Sequence, residues 1–400
     1  MAKKTIADLG DLRGKRVLTR VDFNVPLDKK TGDIKNDRRI RAAIPTVRQL
    51  LDRGAAVIAM SHLGRPSGDP AKDAPLRMDK VAARFGELLG RAVKKAADQV
   101  VGPAVTATVA AMKPGDVVLL ENLRFDPREQ KNDPEFAAAI AGLGDAYVND
   151  AFGTCHNDKD ASMVAVPAAM KAQGKPRAVG LLVAKELEVI DGLMSNPKRP
   201  LLAVMGGAKV SDKVKFINAL LGKVDHLLVG GKMTYTFLKA QGIGVGNMQI
   251  ADDEVAAAKA LLPQVGTKIT LPADSLCAKS DDLNTTKVVE GPIPAGFEGV
   301  DIGPKTLAGY ADRIKSAGTV IWNGPVGWFE QPAFSGGTKG IAAAMADSKA
   351  ITVVGGGETA EAVEQFGYDS RMTHVSTGGG AFLAYVEGKK FASLAQIDDR

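Results

Sequence analysis

"LLAVMGGAKVSDK" (residues 201–213) carries the reading that decides the fold. Its apolar run, Leu201 to Met205, has no polar break and stops on Gly206-Gly207; a polar stretch with helical spacing follows. Such a run fits a strand buried on both faces, as in parallel sheets covered by helices. The same pattern recurs on either side. The second half continues with "HLLVGG", "KITLPADSL", "TVIWNGPVG", "ITVVGGG" and "HVSTGGG". The first half has "RVLTRVDFNVP", "AAVIAMSHLG", "DVVLLENLRF" and "DAYVNDAFGT". Helical stretches of roughly 10 to 25 residues lie between these runs, which predicts α/β architecture with doubly wound parallel sheets in three layers. In such sheets ligands bind beyond the carboxyl ends of the strands, so the residues closing each run are the candidate site.

Four hundred residues exceed what one hydrophobic core serves. In "KPRAVGLLVAKELEVIDGLMSNPKRP" (175–200), Val183, Leu187, Ile190 and Met194 recur at helical spacing, with Pro176 ahead and Asn196-Pro197 behind. This predicts one long joining helix over 178–196, between a domain at 1–177 and a second at 197–383. The composition, 45% hydrophobic and 24% charged, is that of a soluble globular chain. The start "MAKKTIADLG" lacks a signal-peptide core, and no apolar run reaches the roughly 18 residues of a membrane span. The only cysteines, Cys155 and Cys277, are far apart, which suits a reducing cytoplasm. The net charge of +6 comes without zinc-finger, RNP or basic-zipper patterns, and aromatic residues are only 5%. Small anionic substrates are therefore expected, and neither nucleic acid nor membrane.

The halves differ in chemistry. Of 19 arginines, 14 lie in residues 1–175, whereas every pair of adjacent glycines follows residue 200. Guanidinium forks suit carboxylate and phosphate, and glycines opening a helix let phosphate oxygens reach backbone N–H groups. The first half thus reads as a site for a compact anion and the second as a nucleotide site. "RVDFNVP" puts Asp22 and Asn24 at a strand end, where Asp accepts hydroxyl protons and Asn donates. "SHLGRP" adds His62 and Arg65, "NDRRI" adds Arg38 and Arg39, and "ENLRF" adds Arg124. In the second half Lys209 and Lys213 fall at i, i+4 on the helix expected after Gly207, either gripping an anion or lying on a solvated face. Glu358 in "GGGETAEA" is either a carboxylate partner for Mg²⁺ on a polyphosphate or a favourable first-turn acid. Neither GxxxxGK[ST] nor an early GxGxxG is present, which disfavours a P-loop enzyme and a dehydrogenase. "GIGVG" (242–246) reads as a loop.

"RVDFNVP", "SHLGRP", "ENLRF", "GGAKVSDK", "WNGPVGWFE", "GGGETA" and "HVSTGGGA", in this order, resemble the phosphoglycerate kinase family across essentially the whole chain. The resemblance implies two Rossmann-like domains, with residues 384–400 returning to the first. It implies reversible transfer between 1,3-bisphosphoglycerate and ADP, giving 3-phosphoglycerate and ATP, with Mg²⁺, by a cytoplasmic monomer. Carried over by position, the phosphoglycerate residues are Asp22, Asn24, Arg39, His62, Leu63, Gly64, Arg65 and Arg124, with the loop position Asn157. The nucleotide residues are Lys213, Gly299, Glu330, Gly356, Gly357, Glu358 and Thr359, with Glu358 toward the metal. Arg39, Lys209, Lys213, Gly378 and Gly379 would face the transferring phosphoryl group. Since these residues fall in two domains, a hinge closure that expels water is invited.

Two departures stand out. Where the family usually has "FGTAHRAHAS", this chain has "FGTCHNDKDAS": Asn157 replaces the arginine that grips the substrate phosphate, and one residue is added before Ala161-Ser162. A metal site from His156, Asp158 and Asp160 and a Cys155–His156 nucleophile are alternatives to a plain substrate loop. The loop reading is preferred: no second cluster of ligands adjoins the metal candidates in sequence, and Cys155 and His156, as neighbours on an extended strand, would face opposite ways. The expected consequence is a raised KM for phosphoglycerate, improved by Asn157→Arg; the alternative is a non-catalytic, nucleotide-binding relative. Glu358 is the second departure, since the family often has Asp there.

Overall fold

A computed structural model of the protein describes residues 2–400. The chain forms two compact units: residues up to Glu188 together with Lys390–Arg400, and Val189–Lys389.

In the first unit six parallel strands form one sheet: β1 (Arg16–Val21), β2 (Ala56–Met60), β3 (Lys94–Lys95), β4 (Val117–Leu119), β5 (Ala146–Asp150) and β6 (Arg177–Val179). Their order is β3-β4-β2-β1-β5-β6. Leu18 pairs with Ile58 on one side and Tyr147 on the other, all fully buried, so the central strands have helices on both faces. On one face Val17, Val21 and Val57 pack with Ile40, Val47 and Leu50 of helix Arg38–Asp52 and with Val81 and Phe85 of helix Asp79–Leu89. The Phe23 ring meets Phe85 edge-on at 4.9 Å, anchoring the loop after β1 to this core. The strand order reverses at β1, so the loops after β1, β2 and β4 share one edge of the sheet.

The second unit repeats the plan with β7 (Leu201–Met205), β8 (His226–Val229), β9 (Ile269–Thr270), β13 (Thr319–Asn323), β14 (Ile351–Gly355) and β15 (His374–Val375). These parallel strands are ordered β15-β14-β13-β7-β8-β9. The fully buried Trp322 of β13 centres the core, with Tyr310 and Ile341 from the covering helices. At the reversal point, between β7 and β13, Gly206 lies against the loop after β13. A Cβ there would fall 2.0 Å from the Pro325 carbonyl oxygen, so only glycine allows the approach.

One strand expectation needs correction. "KITLPADSL" is two strands in different sheets, because Pro272 cannot donate to a ladder and ends β9. The remainder is β10 (Asp274–Lys279), the middle of a small antiparallel sheet with β11 (Asp282–Glu290) and β12 (Phe297–Ile302). Strand β11 is exposed along nearly its whole length and carries Asn, Thr and Lys, so no apolar run announces it.

A helix at Leu181–Ser195 crosses from one unit to the other. Its first turn is fastened in the first unit. The Leu181 N–H donates to the Thr46 hydroxyl and the Leu182 N–H to Asp150 Oδ1, both at 2.9 Å. Burial pushes the Asp150 carboxyl up to about 7, against hydrogen bonds from Thr46 and Leu182 that lower it. The native carboxyl therefore binds its proton more tightly than the unfolded one near 3.8. The resulting penalty is absent at acid pH and grows as pH rises through that window. Asp150→Asn keeps the acceptor and cannot ionise. Its unfolding free energy is expected to gain on wild type by up to about 1.4 kcal/mol per pH unit there. Denaturant melts across pH check this, and a difference level with pH would refute it. Among the described residues no helix is long and apolar enough to cross a membrane.

Candidate active site

Three loops at the carboxyl edge of the first sheet are tied into one surface. Asp22, just past β1, receives Arg39 Nη1 on both oxygens, at 2.9 and 3.1 Å. Asn24 Oδ1 accepts the Gly64 N–H at 2.8 Å, and the Gly64 carbonyl accepts Arg124 Nη1 at 2.8 Å. The loops after β1, β2 and β4 thus meet at Gly64. His62 is buried, and Arg20 Nη2 contacts its Nδ1 at 3.1 Å. Burial first, then the charges of Arg20, Arg124 and Arg39, push the imidazole down to about 2. It is therefore neutral, and with Nδ1 accepting from Arg20 its Nε2 keeps the proton. Burial also lowers the Arg124 guanidinium, though the Asp160 and Glu129 charges oppose the shift.

Leu63 stands apart. Its side chain is buried and both its backbone polar groups are engaged by Asn122, at 3.0 and 2.8 Å. Arg65 is exposed. Asn157 turns inward and donates from Nδ2 to Asp160 Oδ2 at 2.9 Å. The stretch 152–155 is a tight helical turn rather than extended chain, which corrects the sequence expectation. Cys155 is fully buried and burial pushes its thiol up to about 12, too high for a nucleophile at neutral pH. Among the described residues no three His, Cys, Asp or Glu side chains group to hold a metal.

In the second unit the loops after β13, β14 and β15 interlock. Asn323, ending β13, accepts Lys213 Nζ and donates to the Gly355 carbonyl at 2.9 Å. Thr359 Oγ1 accepts the Gly324 N–H at 2.7 Å. Gly357 and Gly379 open two helices, neither of which has a side-chain cap on its free N–H groups. A Cβ on Gly379 would lie 2.8 Å from the Gly357 nitrogen, so these two helix starts touch through glycine backbone. A cavity of about 370 Å³ is lined by Gly207, Tyr235, Gly299, Trp328, Glu330 and Glu358, among others. Lys209, Lys213, Gly378 and Gly379 are not on its wall.

The helix expected to carry Lys209 and Lys213 starts late, at Val214. Residues 207–210 bend instead, and Ser211 is held by Glu254, whose side chain accepts its N–H at 3.0 Å. Lys209 is left exposed. Lys213 is half-buried at the helix cap, its pKa lowered by burial and supported by the charges of Glu358, Asp212 and Glu387.

Several residues escaped the sequence reading: Arg20, Asn122, Glu129, Ser162 and Asn323. Arg20 left a trace, as a charge inside the apolar strand β1. It is fully buried and donates from Nε to Ser162 Oγ at 3.0 Å. The others lie far along the chain from the groups they hold, and nothing local marks them.

The family model described as phosphoglycerate kinase matches residues 6–389. The chain belongs to the phosphoglycerate kinase family. Among curated relatives, phosphoglycerate kinase of Rhodopirellula baltica is 50% identical over 405 residues, covering all of both chains. That of Rubrobacter xylanophilus is 48% identical over 402 residues, covering 100% of this chain and 99% of the relative. The solved phosphoglycerate kinase of Coxiella burnetii superposes with a TM-score of 0.85 at 37% identity, over 98% of both chains. The protein is therefore a phosphotransferase of the phosphoglycerate kinase reaction, linking 1,3-bisphosphoglycerate and ADP to 3-phosphoglycerate and ATP. Nothing in these comparisons favours a non-catalytic relative.

Proposed function

We propose that the two loop clusters divide the substrates of this reaction. Asp22, Asn24, Arg39, His62, Gly64, Arg65 and Arg124 take phosphoglycerate, and Gly299, Glu330 and Gly356 to Thr359 take ADP or ATP. The observation supporting this most is the chain of contacts from Asn24 through Gly64 to Arg124, which fixes the first cluster without a general base. None is needed, since the attacking carboxylate or phosphate oxygen is already ionised at neutral pH. A neutral His62 serves as a hydrogen-bond donor. The protein's contribution is positive charge and alignment: Arg39 braced by Asp22, Lys213 braced by Asn323, and the uncapped N–H groups of the helix that Gly379 opens, next to Gly378.

Mg²⁺ fits this reading. Glu358 offers one hard oxygen ligand on the cavity wall, near enough to Lys213 to influence its charge. Mg²⁺ on a polyphosphate typically takes one or two carboxylates and keeps its waters. When bound it would offset phosphate charge. A cytoplasmic monomer is the proposed working form, and the two buried free cysteines agree with a reducing compartment.

The test lies in the 157–160 loop. A lost charge-assisted phosphate contact costs about 1.5–3 kcal/mol, or roughly 10 to 200 in affinity. Asn157→Arg alone is expected to recover little of this, because the buried Asp160 carboxylate already binds the side chain at 157 and would pair with the new guanidinium. Asn157→Arg with Asp160→Asn should lower the phosphoglycerate KM by about tenfold, leaving the nucleotide KM unchanged. A coupled assay of ATP formation measures both. No response from the double variant would detach this loop from the substrate.

A further inference from the structure

A cavity of about 650 Å³ lies in the first unit between residues 66–77 and 124–131. Of the residues proposed above for phosphoglycerate, Arg124 alone lines it. Its apolar wall is stiff, made by Pro66, Pro70, Phe125 and Pro127, and its cations are Arg77, Arg124 and Lys131. The one acid on the wall, Asp73, is already saturated. Its Oδ1 accepts the Ser67 N–H at 2.9 Å and hydroxyl at 3.1 Å, and its Oδ2 accepts the Gly68 N–H at 2.8 Å.

The cations have capacity left. Arg77 shares its charge with Asp98 at 3.1 Å and Glu121 at 3.4 Å. Lys131 is exposed and makes no ion pair among the described residues. Arg124 spends Nη1 on the Gly64 carbonyl, while its Nε is buried with no hydrogen-bond partner among them. A buried donor on a cation is costly to leave unmade. The volume suits a small organic molecule, and flat rings pack well against Phe and Pro and under guanidinium planes.

We propose that this cavity binds a small aromatic anion, an aryl phosphate or aryl carboxylate, and that its occupant weakens phosphoglycerate binding by drawing on Arg124. The site goes beyond the substrate assignment. The coupling rests on it, since one guanidinium then serves two anions that repel each other, and linkage makes the effect mutual.

Phenyl phosphate is the probe. Calorimetric titration into the whole enzyme should show binding that Lys131→Ala and Arg77→Ala each weaken by about tenfold or more. Neither variant should alter the KM for 3-phosphoglycerate without the probe. In wild type that KM should rise with probe concentration and level off at about fivefold, as both ligands remain bound together. No heat of binding, or heat unchanged in both variants, would overturn the site. A KM that climbs without a plateau would also overturn it, because the probe would then be occupying the substrate loops. Binding lost in Lys131→Ala with a flat KM overturns the coupling. Arg124→Ala then separates the two causes: a raised KM leaves the substrate assignment standing, and an unchanged KM removes Arg124 from it.

Discussion

Arg39→Met is expected to lower kcat by about 10³-fold while leaving ADP affinity within about twofold. The aliphatic stem survives this substitution and the charge does not. In the resting protein Arg39 is held by Asp22, one nitrogen facing both carboxylate oxygens, so its guanidinium is oriented before substrate arrives. That costs no reorganisation when negative charge gathers on the transferring group, which is where such a cation contributes most. Arg39→Lys keeps a point charge but cannot span Asp22 and a phosphate oxygen as a planar fork does, so a loss of about 10- to 100-fold is expected. Steady-state ATP formation with calorimetric ADP titration gives both quantities. A kcat for the Met variant within tenfold of wild type would remove Arg39 from the transferring group.

Glu129→Leu should destabilise the first unit by about 3–5 kcal/mol. Glu129 is 1% exposed and accepts both the N–H and the hydroxyl of Ser162, the N–H at 2.9 Å. Arg20, wholly buried, donates to the same hydroxyl. Leucine would leave the Ser162 N–H without its acceptor and the guanidinium without the carboxylate that offsets it. Burial pushes Glu129 up to about 7, although Arg20 and the Ser162 bonds pull it down. Wild type therefore loses stability as pH rises through that window while the leucine variant does not titrate there, so the loss should be smaller at pH 8 than at pH 6. Glu129→Gln retains an acceptor and should lose less than half as much. Both tryptophans, Trp322 and Trp328, lie in the second unit, so circular dichroism and hydrogen exchange at residues 146–162 are the suitable probes. Unchanged exchange there would show that the Arg20–Glu129–Ser162 cluster does not hold the loop.

The double variant at 157 and 160 illustrates where sequence reading stopped. Asn157 was legible as a missing cation, because one position was compared with a motif. Its partner was not, because whether Asp160 faces solvent or Asn157 depends on how the turn closes over Glu129 and Ser162. The late start of the helix at Val214 has a similar origin. Spacing alone puts Lys209 and Lys213 on one helical face, yet the Glu254 carboxylate, from another helix, holds Ser211 outside it.

By itself the sequence determined the two parallel sheets, their approximate strands and the ends that carry chemistry. Burial on both faces demands unbroken apolar runs, glycine is required where backbones touch, and those constraints act on neighbouring residues. Tertiary structure alone decided which strand ends adjoin, and with them the bonds from Lys213 to Asn323, Gly64 to Asn24 and Arg20 to Ser162. It also decided the antiparallel strands β10 to β12, whose exposed member has no hydrophobic period to read. The reason is common to all: a polar side chain taken from water must find its partner wherever strand order places one, and strand order leaves no periodic mark on the chain.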